Sequence, residues 1–229
     1  MAVRLDNFRL SATVPLPALR RRLRHPRRTD PQHRTIVVID VAAFGRRTDL
    51  AQLHVRADLD GLVREACRGS GIPRSRLVVA DRGDGMIVFI PADVSKAVLL
   101  QPFVPRLRSC LHERNGTARV DQRIRVRVAV HAGEVVPGPH GWIGTDLNLA
   151  CRLVDSIPLR QELVDNPRAD LVLAVSDVIH QAVVRHGHRG IDASAYREVP
   201  LNTKEVATRA WIHTPVRETR HAVTALVPA

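Results

Sequence analysis

The sequence predicts an α+β domain, a mixed β-sheet with helices packed on it. Three observations carry this. Apolar runs of strand length recur at 35–40, 76–81, 85–90, 123–135, 169–176 and 209–215. Stretches of helical spacing lie between them, in an order that begins β, α, β, β, α, β, α, β. At 229 residues with 3% aromatics, the chain can bury a sizeable core, and must build it from Val, Leu, Ile and Ala.

Each element has its own signal. Residues 1–33 read as an arm of low order. "TIVVID" (35–40) is a continuous apolar run, as in a strand covered on both faces. Thr48 can cap a helix whose stripe is Leu50, Leu53, Ala57, Leu59, Leu62, Val63 and Ala66, ending at Gly69 to Pro73. "RLVVAD" and "GMIVFI" read as a hairpin around Asp81-Arg82-Gly83-Asp84. Residues 93–113 read as a second helix. In "RIRVRVAVHAGEV" (123–135), Ile124, Val126, Val128 and Val130 share one face of a strand. Gly138 to Gly141 is a turn, followed by a helix over 145–154. A strand at 169–176, a helix at 176–186 and a strand at 209–215 complete the domain, which spans 34–214; 215–229 is a tail.

Composition narrows the partners. Lys+Arg number 35 against 23 Asp+Glu, a formal charge of +12, and much of the surplus lies in the run Arg20 to Arg28. That run holds no Phe, Tyr or Trp for base stacking and follows Pro15 and Pro17. It reads as a solvated, anion-seeking arm rather than a nucleic-acid binder. Cys67, Cys110 and Cys151 are widely spaced, as expected of buried reduced thiols in a cytoplasmic protein. No apolar stretch has membrane-spanning length.

Three segments carry chemistry. Asp40 ends a buried strand beside the loop Val41-Ala42-Ala43-Phe44-Gly45. A carboxylate there suits a divalent metal with a polyphosphate; capping of the loop is the other reading. Asp84 sits at the hairpin tip, and if the strand of Asp40 lies beside that hairpin, the two carboxylates converge on one metal pair. Asn148 and Arg152 are one turn apart on a helix, a face for ribose and phosphate or simply for solvent.

Together "VVIDVAAFG", "DRGDGMIVF", "VRVAVHAGEV" and "IGTDLNLACRL", in this order and spacing, resemble the class III nucleotidyl cyclase catalytic domain over about 34–214. The resemblance implies a ferredoxin-like mixed-sheet core. It implies two divalent cations, Mg²⁺ or Mn²⁺, at Asp40, Val41 and Asp84, with Asn148 orienting the ribose and Arg152 stabilising the α-phosphoryl group. Phe44, Gly45, Lys204 and Arg46 or Arg47 would contact the triphosphate of an NTP substrate. It implies a head-to-tail homodimer whose sites are shared across the interface. The family's adenine-reading Lys and Asp positions are Ala80 and Gly141 here, and its guanine-reading pair is also missing. The absences resemble the uridylate and cytidylate cyclases of Pycsar anti-phage systems. A pyrimidine could be met by backbone donors or an arginine such as Arg56, with Trp142 as a wall or a plain core residue. Asp81 and Arg82 have no role assigned by sequence.

Overall fold

The computed structural model describes residues 30–202 and 207–215. Most of the arm and tail, and Lys204, lie outside the described residues. β1 (Gln32–Val41) starts two residues inside the expected arm and is buried on both faces from Thr35 onward. α1 (Asp49–Gly69) starts at Thr48, whose Oγ1 accepts from the Ala51 N–H at 3.4 Å. Its buried face is Val55, Leu59, Val63, Ala66 and Cys67. Leu50 and Leu53, expected in that stripe, are 65% and 68% exposed, and Ala57 is exposed. At 100° per residue these three lie roughly 100° or more round the helix from the buried face.

β2 (Val78–Asp81) and β3 (Gly85–Pro91) form the expected hairpin. The expected helix over 93–113 is broken. A single turn, α2 (Lys96–Val98), precedes a wide turn at 99–103, and α3 (Val104–Thr117) begins after it. Pro102 supplies no N–H and crowds the preceding residue, so Gln101 sits at φ −149°, ψ 105°, outside the helical region. β4 (Val126–Gly138) turns at Gly138–Gly141 into the short β5 (Gly141–Ile143), and α4 (Thr145–Val154) follows as expected.

α5 (Ile157–Asp165) was not foreseen: it is only nine residues long. Ser156 before it and Pro158 in its first turn are the sequence signals for its start. β6 (Leu171–Ser176) is fully buried, and α6 (Asp177–Ala182) is shorter than the helix expected over 176–186. β7 (Arg197–Asn202) was also missed; Pro200 argues against a strand in general but is tolerated on an edge. β8 (Ala207–His213) pairs with it.

Among the described residues, the main sheet runs β2-β3-β1-β4-β6-β8-β7, with β5 appended to β4. Its ladders are antiparallel except β4–β6. Strand parity divides the core. Val37, Ile39 and Val41 join the layer under α1 and α3, whereas Ile36 and Val38 join the layer under α4 and α5. Asn115 is buried, bonding both the N–H and the carbonyl of Ile124. Cys67 is buried and its thiol pushed up to about 11 by burial, while Cys110 and Cys151 are only half-buried. Among the described residues, no helix is long and apolar enough to cross a membrane.

Candidate active site

Parity continues past Val38, so the Asp40 side chain belongs to the α4 side of the sheet. In the ladders Asp40 lies opposite Gly85 of β3 and Arg127 of β4. A Cβ at Gly85 would overlap the Ile39 carbonyl oxygen, so glycine alone permits this approach. The pairing extends one step further, the Val41 N–H donating to the Asp84 carbonyl at 2.9 Å. Asp40, Val41 and exposed Asp84 are thereby brought together at one end of the sheet.

Asp40 is buried and ion-paired with the Arg127 guanidinium. Burial pushes its carboxyl up from 3.8 to about 6; Arg127 pulls down, and Asp84 and Asp155 push up. A cation beside the two carboxylates would relieve both burial and mutual repulsion. The donors on offer are two carboxylates and the Val41 carbonyl, all hard oxygens that fit Mg²⁺ or Mn²⁺. Among the described residues no three His, Cys, Asp or Glu side chains gather as a metal cage. A cation held here would take only part of its shell from these donors, as in sites that bind the metal together with substrate phosphates.

The hairpin tip explains two residues left without a role by sequence. Asp81 accepts from the Gly83 N–H at 2.6 Å, closing the turn. Arg56 of α1 donates to the carbonyls of Gly83 (2.7 Å) and Gly85 (2.6 Å) and to the Asp81 carboxylate. Its guanidinium brackets Asp84 and is therefore spent on the hairpin rather than offered to a base. Arg82 pairs with Asp155, the residue that ends α4, which Arg160 also reaches at 3.3 Å.

After Val41 the chain turns through Ala43, at φ 55°, into a short turn over Phe44–Arg46. Phe44 packs on the α1 side of the core, leaving Gly45 and Arg46 exposed. The N–H groups opening such a turn have no acceptor within it. Arg47 instead donates to the carbonyls of Asp121 (3.0 Å) and Arg123 (2.6 Å), tying the loop to the segment before β4. The exposed cation of this loop is Arg46.

Asn148, exposed, and Arg152, half-buried, form a second cluster on α4. Their helix is anchored by Asp146, which accepts the Glu134 N–H at 2.6 Å and the His131 Nε2–H at 3.1 Å. The other ring nitrogen of His131 meets Ser176 Oγ at 2.8 Å. Gly133 makes room for this anchor, since a Cβ there would collide with the Asp146 carboxylate. Burial lowers the His131 pKa, against the pull of Asp146, so a neutral ring suits the network. The two clusters are joined by the Arg82–Asp155 pair. At the base-reading positions, Ala80 is half-buried opposite Ile87, and Gly141 sits at φ 126°. Trp142 stacks on Phe89 at 5.0 Å and carries the Arg34 guanidinium 5.4 Å from its ring centre.

Sequence reasoning missed Arg127, Asp155 and the His131–Asp146 anchor, and offered Arg56 to a base where the structure places it on the hairpin. The available signal for Arg127 was a charge recurring at alternate positions, Arg123, Arg125 and Arg127, in an otherwise apolar strand.

No protein-family model and no curated protein matches the chain. Solved structures do match in fold. An adenylate/guanylate cyclase/hydrolase from Silicibacter pomeroyi aligns over 82% of this chain and 99% of its own, with TM-score 0.60 and 18% identity. The guanylyl cyclase Cya2 aligns over 84% and 97%, with TM-score 0.58 and 16% identity. The guanylate cyclase domain of RhGC from Catenaria anguillulae, solved with GTP, aligns over 80% and 97%, with TM-score 0.52 and 15% identity. The mixed sheet with helices on both faces is the fold of these class III cyclase domains.

Proposed function

We propose that the protein is a nucleotidyl cyclase that converts an NTP into a 3′,5′-cyclic nucleotide and pyrophosphate. The observation that carries this reading is the meeting of Asp40 and Asp84 at one sheet end, through the Gly85 clearance and the Val41–Asp84 bond. Two hard carboxylates beside an exposed loop fit a cation-bound triphosphate. In this reading the ribose 3′-oxygen attacks the α-phosphorus, the bond to the bridging oxygen breaks, and the 3′-hydroxyl proton leaves to solvent. Divalent cations, when bound, lower the pKa of the attacking hydroxyl and neutralise the triphosphate. Asp40, Asp84 and the Val41 carbonyl would hold them. Phe44 and Gly45 would offer backbone N–H groups to phosphate oxygens, Arg46 a charge, and Lys204 a further one. Asn148 would orient the ribose and Arg152 would stabilise charge at the α-phosphoryl group. The two clusters would complete each other across a head-to-tail homodimer.

The substrate we favour is UTP or CTP, yielding cUMP or cCMP in anti-phage signalling. Support comes from Ala80 and Gly141, which put no charged pair where a purine edge would be read, and from the apolar cluster against which Ala80 packs. A preference set by shape would be modest, ~10- to 200-fold in kcat/KM. The test is one tube with all four NTPs and Mn²⁺, products identified by mass spectrometry, with Asp84→Ala as control. A cyclic pyrimidine nucleotide formed by wild type and lost in the variant is expected. Cyclic AMP or cyclic GMP as main product would overturn the base assignment and leave the cyclase reading standing. No cyclic product from any NTP would overturn the reading itself.

A further inference from the structure

Arg82 is the residue of this hairpin whose placement the catalytic reading leaves unused. Its guanidinium does not point to solvent. One nitrogen pairs with the Asp155 carboxylate, and the other terminal nitrogen, Nη1, is buried without a hydrogen-bond partner. The side chains are 24% and 36% exposed, so the pair is partly shielded from water and salt. Asp155 in turn ends α4, its N–H bonded to the Cys151 carbonyl at 3.1 Å, and draws in Arg160. One ion pair therefore bridges the turn that presents Asp84 and the end of the helix that presents Asn148 and Arg152.

We infer that Arg82–Asp155 is a coupling strut that makes the Asp84 hairpin and helix α4 move as one body, so that loading one active site organises the other. The inference rests on the shared-site reading above. There, the hairpin of one chain serves one site and α4 of the same chain serves the second. Ligation that immobilises the hairpin also immobilises α4 through the strut. The second nucleotide then meets a helix whose ordering has already been met, which is positive cooperativity without any new contact. Arg82 and Asp155 are positioning residues in this scheme and touch neither nucleotide nor metal.

The test is calorimetric titration of the full-length protein with Mn²⁺ and a non-cyclisable α,β-methylene triphosphate of the base it turns over. Wild type is expected to bind two nucleotides per dimer, the second at least about fivefold tighter than the first after statistical correction. Arg82→Gln and Asp155→Asn should each keep two sites but make them independent. The exchanged pair, Arg82→Asp with Asp155→Arg, should recover cooperativity. Two independent sites in wild type, or cooperativity retained in both single variants with the fold intact by circular dichroism, would overturn the strut and leave the cyclase reading untouched. No binding of any such triphosphate would overturn the cyclase reading and the strut together.

Discussion

Asp40 and Arg127 face each other across adjacent strands, 87 residues apart in the chain, and share an ion pair in which the Asp40 side chain is 2% exposed and the Arg127 side chain 15%. The pair is the electrostatic seat of the candidate site. It keeps a buried carboxylate in place, and it competes with any cation for that carboxylate's charge.

Arg127→Gln should therefore cost about 3 kcal/mol of stability at pH 8, because an uncompensated charge stays buried. Removing the guanidinium lets the Asp40 carboxyl rise further above about 6, so the deficit should shrink as pH falls and the carboxyl is protonated. Mn²⁺ should raise the Tm of the variant more than that of wild type. Thermal melts at pH 8 and pH 5.5, with and without Mn²⁺, check this. A pH-independent deficit would contradict it.

Gly85→Ala should force β1 and β3 apart, since the new methyl meets the Ile39 carbonyl and the Asp40 backbone. A loss of about 2–4 kcal/mol is expected by denaturant unfolding, with loss of cyclisation in the folded remainder. Gly61→Ala is the control. It lies within α1 with nothing near its added methyl, and should stabilise by ~0.5–1 kcal/mol.

The His131–Asp146 anchor sets a pH dependence. The folded-state pKa of His131 lies below its ordinary 6.5, chiefly through burial. Its contribution is present above 6.5 and is lost as pH falls below that value, because folding must then exclude a proton the unfolded chain binds. His180 and His213, both also lowered by burial, act in the same direction, whereas Asp40 gains stability on protonation. The discriminating measurement is the difference between wild type and His131→Gln. The variant should be less stable at pH 7.5, and the gap should narrow toward pH 5. A constant gap would assign the network a packing role without titration.

Complementation checks assembly. Asp40→Ala and Arg152→Ala chains should each be inactive alone. Mixed under exchanging conditions, they should regain up to about one working site per heterodimer, because one interface then pairs two intact halves. Subunit exchange shown by mass spectrometry, with no recovered turnover, would sink the shared-site arrangement.

The sequence by itself determined the elements whose signal is local. The continuous apolar run ending at Asp40, the glycine-bounded hairpin around Asp84, and the spacing of Asn148 and Arg152 on one helix face could all be read from periodicity and turn chemistry. Local signals also misled where a neighbour decides the outcome. Leu50 and Leu53 look like core but face away from the sheet, and Pro200 argues against a strand that survives because it lies at an edge. Only the tertiary structure decided which side chains meet. Arg127 reaches Asp40 through strand register, Arg56 is used up on the hairpin carbonyls, Arg47 is turned to the 121–123 segment, and Arg82 finds Asp155 across 73 residues. Periodicity tells which face of an element a residue occupies. The partner across that face depends on register and packing between distant segments, and a guanidinium on a long, flexible stem can serve any of several acceptors until the fold selects one.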